Sequence, residues 1–561
     1  MSTPPSGPGS APGSPEPPSA PSPPASPAVA HGVITTRPII GVFGVLFGAL
    51  IATCTGRLLS VGLADLRGAL HLGVDEASWL GTAFNAALMF IGPFSVYLGG
   101  LLGARRVLLA CAGIFTVVSL LLPFALSLPV ILTLLVVAGL TAGTFYPLTL
   151  SFVLRNLPMR FVLLGIAMYA ADIVFITNFS TSLEAWLIDH LSWHWIFWNG
   201  AALAPVMMVL IYFGIPWQPL PTPKPGQPKP NWRGFLYASL GFALLYIALD
   251  QGQRLDWLHS GTIVALIASG VFLLGASAVR HMVLPNRLIN FNFLLRRNTL
   301  LLGVILIFFR FVLLATVLVL PSYLGSVKGY LPLQTGPVLL WVGLPQILIG
   351  LLAMYLLKYV DARLVLTAGF SLVAVACIIN AHLSSAWSGA DFATSQMIMA
   401  IGQAFAFNGV VGAIVLEVVN TGALSRPIDV LTFAGYFQTI RLFGGEMGSA
   451  FLGHFLSVRE QFHSNILGQG VRLGEPATHQ RLLGLTAGML SRSAGPPTAA
   501  GRAAEILGLQ VRQQAFTLAI TDSFMLVAFA VVCCLIFIAC MAPVPTQYRQ
   551  VIKAASAPAT A

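Results

Sequence analysis

Residues 260–280 read SGTIVALIASGVFLLGASAVR, with no charged residue between Ser260 and the final Arg280. A helix needs about 20 mostly apolar residues to cross the hydrocarbon core of a bilayer. Such stretches recur from Pro38 to Met541. Only 8% of the 561 residues are charged, against about 25% in a typical soluble domain. The sequence therefore predicts an all-α polytopic membrane protein in contact with a lipid bilayer.

The net charge of +11 does not indicate a nucleic-acid partner, because the Lys and Arg residues lie singly or in pairs between apolar runs. All six cysteines lie inside apolar segments, which argues against a disulfide framework or a metal site. The sequence also lacks the phosphate-loop, His-Glu-x-x-His and Gly-x-Ser-x-Gly motifs. We expect no enzyme activity and no cofactor, and an ion gradient of protons or sodium as the source of energy.

The apolar runs predict fourteen spans. They lie near residues 38–63, 77–100, 106–126, 128–153, 161–183, 195–215, 233–250, 260–280, 298–322, 336–357, 363–383, 393–417, 428–456 and 519–541.

We expect the protein to lie in a cell inner membrane. The distribution of basic residues places both termini in the cytoplasm, because cytoplasmic loops retain Lys and Arg. The short external connections contain only Arg67, Arg254 and Lys328. The cytoplasmic connections contain Arg105, Arg106, Arg155, Arg160, Lys224, Lys229, Arg233, Arg280, Arg287, Arg296, Arg297, Lys358, Arg363 and Arg426.

Three polar segments interrupt this pattern. Residues 1–37 are rich in Pro and Ser and are predicted to be a disordered cytoplasmic tail, and residues 216–232 form a Pro-rich cytoplasmic linker. A long external loop covers about residues 457–517, and a second cytoplasmic tail covers 546–561. Two interpretations of the external loop remain open, a docking surface for a partner or a tolerated insertion.

Residues 249–257 read LDQGQRLDW, which is similar to the Leu-Asp-x-Gly-x-x-Leu-Asp-Trp segment of the fourteen-helix drug:proton antiporter branch (EmrB/QacA type) of the major facilitator superfamily. Further matches are Gly139, Gly143 and Pro147, the run SWHWIF at 192–197, and Arg441, Gly445 and Gly448. The resemblance covers about residues 38–545.

The resemblance implies two six-helix bundles around a central cavity, at residues 38–215 and 298–545. The two added helices and a cytoplasmic loop fall at 233–297. The bundles would rock against each other to give alternating access, and the added helices would take no part in transport.

Several signatures of the resembled branch are altered here. The cytoplasmic gate loop keeps only Gly103, Arg105 and Arg106 around Ala104, and Gly100 stands where the branch has Asp. Leu135 replaces an Arg linked to proton coupling. Any coupling must therefore use other residues.

Charges inside spans are costly and usually serve a cavity or a partner. Arg57, Asp172, Arg310, Arg441 and Glu446 are such charges. Asp172 is the first proton-coupling candidate and Glu446 the second. Asp172 in a static ion pair with an Arg is the competing interpretation. We expect Glu184 to lie at the outer interface, in contact with water.

Arg57 and Arg310 come from helices that correspond between the two halves, so both are candidates for the substrate cavity. Their planar guanidinium groups suit a carboxylate or phosphate, although both could merely fasten helices together. Arg441 is a further cavity candidate. Tyr146 and Tyr436 could line an apolar pocket, although packing is the more usual role for a buried aromatic ring.

The leading functional hypothesis is proton-coupled efflux of a small drug-like or amphipathic substrate. The alternatives are an anion carrier that uses Arg57 and Arg310, and a non-transporting sensor with a facilitator-like fold. A periplasmic adaptor and an outer-membrane channel are possible partners.

The distribution of basic residues also makes a topological prediction. Reporter domains fused at Pro225 and Ala555 should give a cytoplasmic signal, and a reporter fused at Gly484 an external one, in a paired phosphatase and fluorescence assay. A cytoplasmic signal at Gly484 would rule out fourteen spans with both termini inside.

Overall fold

The computed structural model describes residues 36–156, 159–217, 232–284, 291–421, 427–472, 474–492, 495–543 and 548–550. The predicted tails and the Pro-rich linker fall almost wholly outside these residues. The described residues form helices and no strands.

The first part of the chain contains helices α1 to α8. Their bounds are α1 Thr36–Val61, α2 Leu63–Ala69, α3 Val74–Leu102, α4 Ala104–Leu121, α5 Leu128–Ala142, α6 Phe145–Asn156, α7 Met159–His190 and α8 Trp195–Gly214.

The remainder contains helices α9 to α20. Their bounds are α9 Trp232–Gly252, α10 Gly261–Val283, α11 Phe291–Leu294, α12 Arg297–Leu314, α13 Leu320–Ser326, α14 Pro332–Gly343, α15 Gln346–Tyr359, α16 Ala362–Asn380, α17 Ala393–Asn420, α18 Pro427–Gln469, α19 Pro476–Met489 and α20 Pro496–Ala539.

Twelve helical segments of the described residues are long and apolar enough to cross a membrane. Helices α3 and α18 occupy the other two predicted positions but are not among the twelve. Both helices contribute polar residues to an internal cavity, and α18 carries Arg441 and Glu446. The all-helical, multi-span prediction is confirmed, and the count of fourteen stays a prediction.

The helices pack in two groups that meet along two seams. Helices α1 and α3 to α8 pack against one another, as do α12 to α18 and α20. One seam joins α3 to α18, and the other joins α7 to α14, α15 and α17. Helix α9 lies on the first seam, in contact with both α3 and α18, and α10 packs against α9. The predicted bundle boundaries remain a prediction.

The LDQGQRLDW segment fastens α9 to α3. Arg254 forms a salt bridge of 2.9 Å with Asp75 at the start of α3, and the Gln251 amide donates to the Ser78 carbonyl oxygen at 3.4 Å. Gly252 lets the Trp257 ring pack directly on the backbone, since a Cβ atom there would lie 2.6 Å from the ring. The motif therefore stabilises the local contact between α9 and α3.

Several spans are interrupted where the backbone loses regular hydrogen bonds. The tenth span breaks between α14 and α15, just before Gln346, at Pro345, which has no N–H to donate. The ninth contains a π-helical turn at Ala315–Val319, a feature often found at functional sites. This turn borders the internal cavity, which Val317 lines.

The segment 457–517, expected to be a loop, is largely helical. Helices α18 and α20 contain 43 and 44 residues, which corresponds to roughly 65 Å each at about 1.5 Å per residue, twice the hydrocarbon thickness. Asp522 of α20 accepts hydrogen bonds from Arg459 at 2.6 Å and His463 at 2.7 Å of α18. The two helices therefore continue beyond the bilayer as a paired extension, with α19 packed on α20.

The contact between α3 and α5 makes a prediction about stability. A Cβ atom at Gly139 would lie 2.2 Å from the Phe84 carbonyl oxygen, and a backbone atom cannot rotate away. Gly139→Ala should therefore lower the thermal stability of the detergent-solubilised protein, at a cost of about 1–3 kcal/mol. The measurement is the fraction of monodisperse protein that survives a temperature series.

Gly113→Ala is the matched control, because the nearest atom to a Cβ there is Met208 Cε at 3.8 Å. Equal stability of the two variants would contradict the close approach of α3 and α5.

Candidate functional site in the central cavity

A cavity of about 330 Å³ lies where α1, α3, α6, α7, α9, α12 and α18 meet. Its wall reaches Ser60, which is exposed at the end of α1. The apolar part of the wall includes Leu59, Leu88, Leu313, Leu314 and Val317. The polar part includes Arg57, Thr82, Asn85, Tyr146, Tyr246, Asp250, Arg310, Arg441 and Glu446.

Arg57 and Arg310 both line this cavity, and their role in substrate binding stays a prediction. The Nε atom of each is buried without a hydrogen-bond partner, and neither forms an ion pair with a described carboxylate. Gly445 leaves room for the Arg310 guanidinium, since a Cβ atom there would lie 2.8 Å from Nη2. The helix-fastening interpretation therefore has no ion pair to support it in this conformation.

Arg441 and Tyr146 form a second polar group in the wall. The Arg441 guanidinium lies 3.8 Å from the centre of the Tyr146 ring, a cation–π contact, and its Nε donates to Gln438 at 3.2 Å. Arg441 is only 3% exposed. Its Nη2 atom and the Tyr146 hydroxyl are buried and have no hydrogen-bond partner.

These free donors define what the cavity can bind. A buried polar group without a partner costs about 1–3 kcal/mol, and a guanidinium is always charged. Three guanidinium groups share this cavity with the carboxyl groups of Asp250 and Glu446, and none of the three forms an ion pair with a carboxylate among the described residues. A ligand with acceptor atoms would satisfy the unpaired donors of Arg57, Arg310 and Arg441.

Asp172 lies half-buried on α7 beside the cavity. The next residue, Ile173, and Thr177 line the wall, whereas the Asp172 Oδ2 atom is buried without a hydrogen bond. Asp172 forms no ion pair with any arginine among the described residues. The static Asp–Arg pair, which was the competing interpretation of the sequence, is therefore not formed in this conformation, and the role of Asp172 stays a prediction.

Glu446 lies against Asp250, for which the sequence predicted no role in the cavity. The Glu446 carboxyl is within hydrogen-bonding reach of the Asp250 carboxyl and the Tyr246 hydroxyl, both on α9. Asp250 in turn accepts hydrogen bonds from Thr82 of α3 and from Gln251. Helix α9, one of the two added helices, therefore lines the cavity, and the expectation that the added helices take no part in transport stays a prediction. Asp250 at the end of an apolar run was the available signal.

Tyr436 does not line this cavity. Its hydroxyl donates to the Thr299 carbonyl oxygen at 3.2 Å, and its ring borders a separate small pocket beside Glu417. Glu184, expected to contact water, is 0% exposed. The prediction of a solvated Glu184 is wrong, because the side chain is enclosed beside Gly62 and Asp65.

Gly103 links α3 to α4, and Arg105 and Arg106 lie in the first turn of α4, away from the cavity. Gly103 has a φ of 87°, a conformation that favours glycine. The guanidinium groups of Arg105 and Arg106 lie 4.7 Å and 4.2 Å from the ring centres of Tyr212 and Trp217. Neither Arg pairs with a carboxylate of the described chain, which is consistent with the loss of the Asp at position 100.

Several known proteins resemble this chain in sequence or in fold. "Probable multidrug resistance protein EmrY" of Escherichia coli K12 is 26% identical over 317 residues, which cover 56% of this chain and 61% of EmrY, less than two thirds of its length. "Multidrug export protein EmrB" of Haemophilus influenzae is 25% identical over 435 residues, 75% of this chain and 80% of EmrB.

The crystal structure of the human organic anion transporter MFSD10 (TETRAN) has a TM-score of 0.52 and 13% identity, and covers 89% of this chain and 100% of that one. This similarity concerns the fold alone. The family profile described as Major Facilitator Superfamily matches residues 45–449, most of the chain. The relatives are transporters of the EmrB type, as the resemblance predicted, and the chain is a member of the Major Facilitator Superfamily.

Proposed function

We propose that this protein exports small amphipathic compounds from the cell in exchange for protons, by alternating access. The observation that carries the proposal is a cavity on the seam between two helix groups, lined by carboxyl groups and by unpaired guanidinium groups. The names of the similar EmrY and EmrB proteins support drug export as the direction. We place the protein in an inner membrane, with both termini in the cytoplasm.

The size and lining of the cavity fit this class of substrate. Its volume of about 330 Å³ falls in the usual range for small-molecule sites, about 300–1,000 Å³. Leu88, Leu313 and Val317 provide apolar surface, and the ring of Tyr146 adds an aromatic face. A compound with an apolar body and one polar or charged group would satisfy both parts of the wall.

A carboxylate-bearing substrate is the second candidate, and the unpaired Arg57 and Arg310 favour it. The charge of the substrate fixes the sign of its coupling to protons. A cation competes with protons for the cavity carboxyl groups, as antiport requires. An anion at Arg310 is instead helped by protonation, because a protonated Glu446 no longer attracts the guanidinium.

A non-transporting sensor is the rival from another class, because the altered gate loop leaves Arg105 and Arg106 without carboxylate partners. We further propose a periplasmic adaptor and an outer-membrane channel as partners, for which the paired extension of α18 and α20 provides an exposed surface. Accumulation of ethidium in inverted vesicles on imposing a proton gradient tests transport against sensing. If neither ethidium nor a fatty acid accumulates in response to the gradient, the sensor hypothesis is favoured over transport.

Asp172→Asn tests the first proton-coupling candidate. The amide preserves the shape of the side chain but cannot titrate. Gradient-driven ethidium accumulation in proteoliposomes should fall to the level of protein-free vesicles, while exchange of ethidium without a gradient should persist.

Asp189→Asn is the control on the same helix, because its side chain is 61% exposed, and it should transport normally. Normal gradient-driven accumulation by a well-folded Asp172→Asn protein would exclude Asp172 as the proton carrier. Glu446 would then be the remaining candidate.

Arg310→Lys tests the anion-binding hypothesis. A lysine keeps the charge but cannot offer two parallel donors to a carboxylate. Loss of a charge-assisted hydrogen bond of about 1.5–3 kcal/mol corresponds to roughly 10- to 100-fold weaker binding of a medium-chain fatty acid. Binding of ethidium should change little.

Arg297→Lys is the control, since Arg297 begins the same helix and donates to the Cys540 carbonyl oxygen, away from the cavity. Unchanged fatty-acid binding by Arg310→Lys would contradict a direct contact.

A further inference from the structure

Helix α9 brings a carboxyl group to the seam between the two helix groups, where a second carboxyl meets it. We propose that Asp250 of α9 and Glu446 of α18 form a carboxyl pair that holds one exchangeable proton and changes its proton affinity when α3 and α18 move apart. This inference deepens the proposed function, on which its role in transport rests.

The contacts indicate where the shared proton lies. A hydrogen bond between two carboxyl groups requires a proton on one of them. Asp250 already accepts hydrogen bonds from the Thr82 hydroxyl and the Gln251 amide, which favour its charged form. Glu446 faces Asp250 and the Tyr246 hydroxyl. The geometry therefore places the proton on Glu446, which donates to the Asp250 carboxylate.

The surrounding positive charges come from three helices and from Arg254, which follows α9 and acts electrostatically on Asp250. Arg310 of α12 acts on Glu446 and Tyr246, and Arg57 of α1 and Arg441 of α18 line the same cavity. None of these arginines forms an ion pair with the two carboxyl groups. The unpaired Arg441 Nη2 atom and Tyr146 hydroxyl indicate that the same space also accepts a ligand.

The two carboxyl groups are fastened to opposite sides of the seam. Asp250 is held to α3 by Thr82, and its helix is clasped there by the salt bridge between Arg254 and Asp75. Glu446 belongs to α18 itself. One exposed hydrogen bond, 2.8 Å between His454 of α18 and Gln253 just after α9, also crosses the gap.

Separation of α3 from α18 would part the two carboxyl groups. The proton would then no longer be shared, and each carboxyl would titrate alone. Proton binding therefore depends on the conformation of the seam, which is what coupling requires. A competing cationic substrate would displace the proton by pairing with the same two carboxylates.

The test measures protonation of Glu446 directly, in proteoliposomes of the full chain. Dicyclohexylcarbodiimide reacts with protonated carboxyl groups in apolar surroundings, and mass spectrometry gives its yield at Glu446 over a pH series. In Asp250→Asn the pH of half-maximal labelling should fall by about one unit or more, because the neighbouring carboxylate that retains the proton is gone. Asp250→Glu should restore the wild-type profile.

Two further variants complete the test. Thr82→Val removes a donor from the Asp250 carboxylate, so half-maximal labelling of Glu446 should move to higher pH. Asp256→Asn is the control, because its side chain is 82% exposed, and it should not shift the profile. A Glu446 profile that is the same in wild type and Asp250→Asn overturns the proposal. If Asp250→Asn does not fold, the absence of an upward shift in Thr82→Val overturns it.

Ethidium accumulation in the same proteoliposomes separates this inference from the proposed function. A wild-type protein that exports nothing contradicts the function, while the labelling result still decides the pair. The role of the pair in coupling is overturned if the wild-type protein exports ethidium and the Asp250→Asn variant exports it with the same dependence on the proton gradient.

Discussion

Hydrocarbon cannot hydrogen-bond to a backbone amide or solvate a charge, and this constraint organises the whole molecule. Backbone groups in the spans are satisfied within helices, so the described chain contains no strand. A charge at the centre of a span costs about 2.5–3.5 kcal/mol or more. The charges therefore collect where helices enclose space, in the cavity that contains Arg57, Arg310, Arg441 and Glu446.

Close packing at the seams gives this cavity its shape. Glycines at contacts such as Gly139 against Phe84, and Gly445 beneath Arg310, let backbones and long side chains approach. Small residues serve this purpose in membranes because helix association depends on van der Waals contact rather than on the hydrophobic effect. The cavity thus lies on a boundary whose two sides are separately packed, a geometry that suits alternating access.

The altered gate loop and the added helix α9 together change where charged side chains interact. The gate loop has lost its Asp, and Arg105 and Arg106 instead contact the rings of Tyr212 in α8 and Trp217 just after α8. Charge interactions at the seam are instead concentrated near α9, where Asp250, Arg254 and Glu446 lie. A helix that looks peripheral by sequence thus takes part in the polar centre of the molecule.

The amino-acid sequence by itself determined the class of protein, the placement of most spans and the family, because these depend on apolar length and on local motifs. It also identified Arg57, Arg310, Arg441 and Glu446, since an intramembrane charge is visible in one dimension. Pairings between distant segments are not visible in this way. Only the tertiary structure joined Asp250 to Glu446, left Asp172 without an arginine, enclosed Glu184 and moved Tyr436 out of the cavity, because each depends on how separate helices pack.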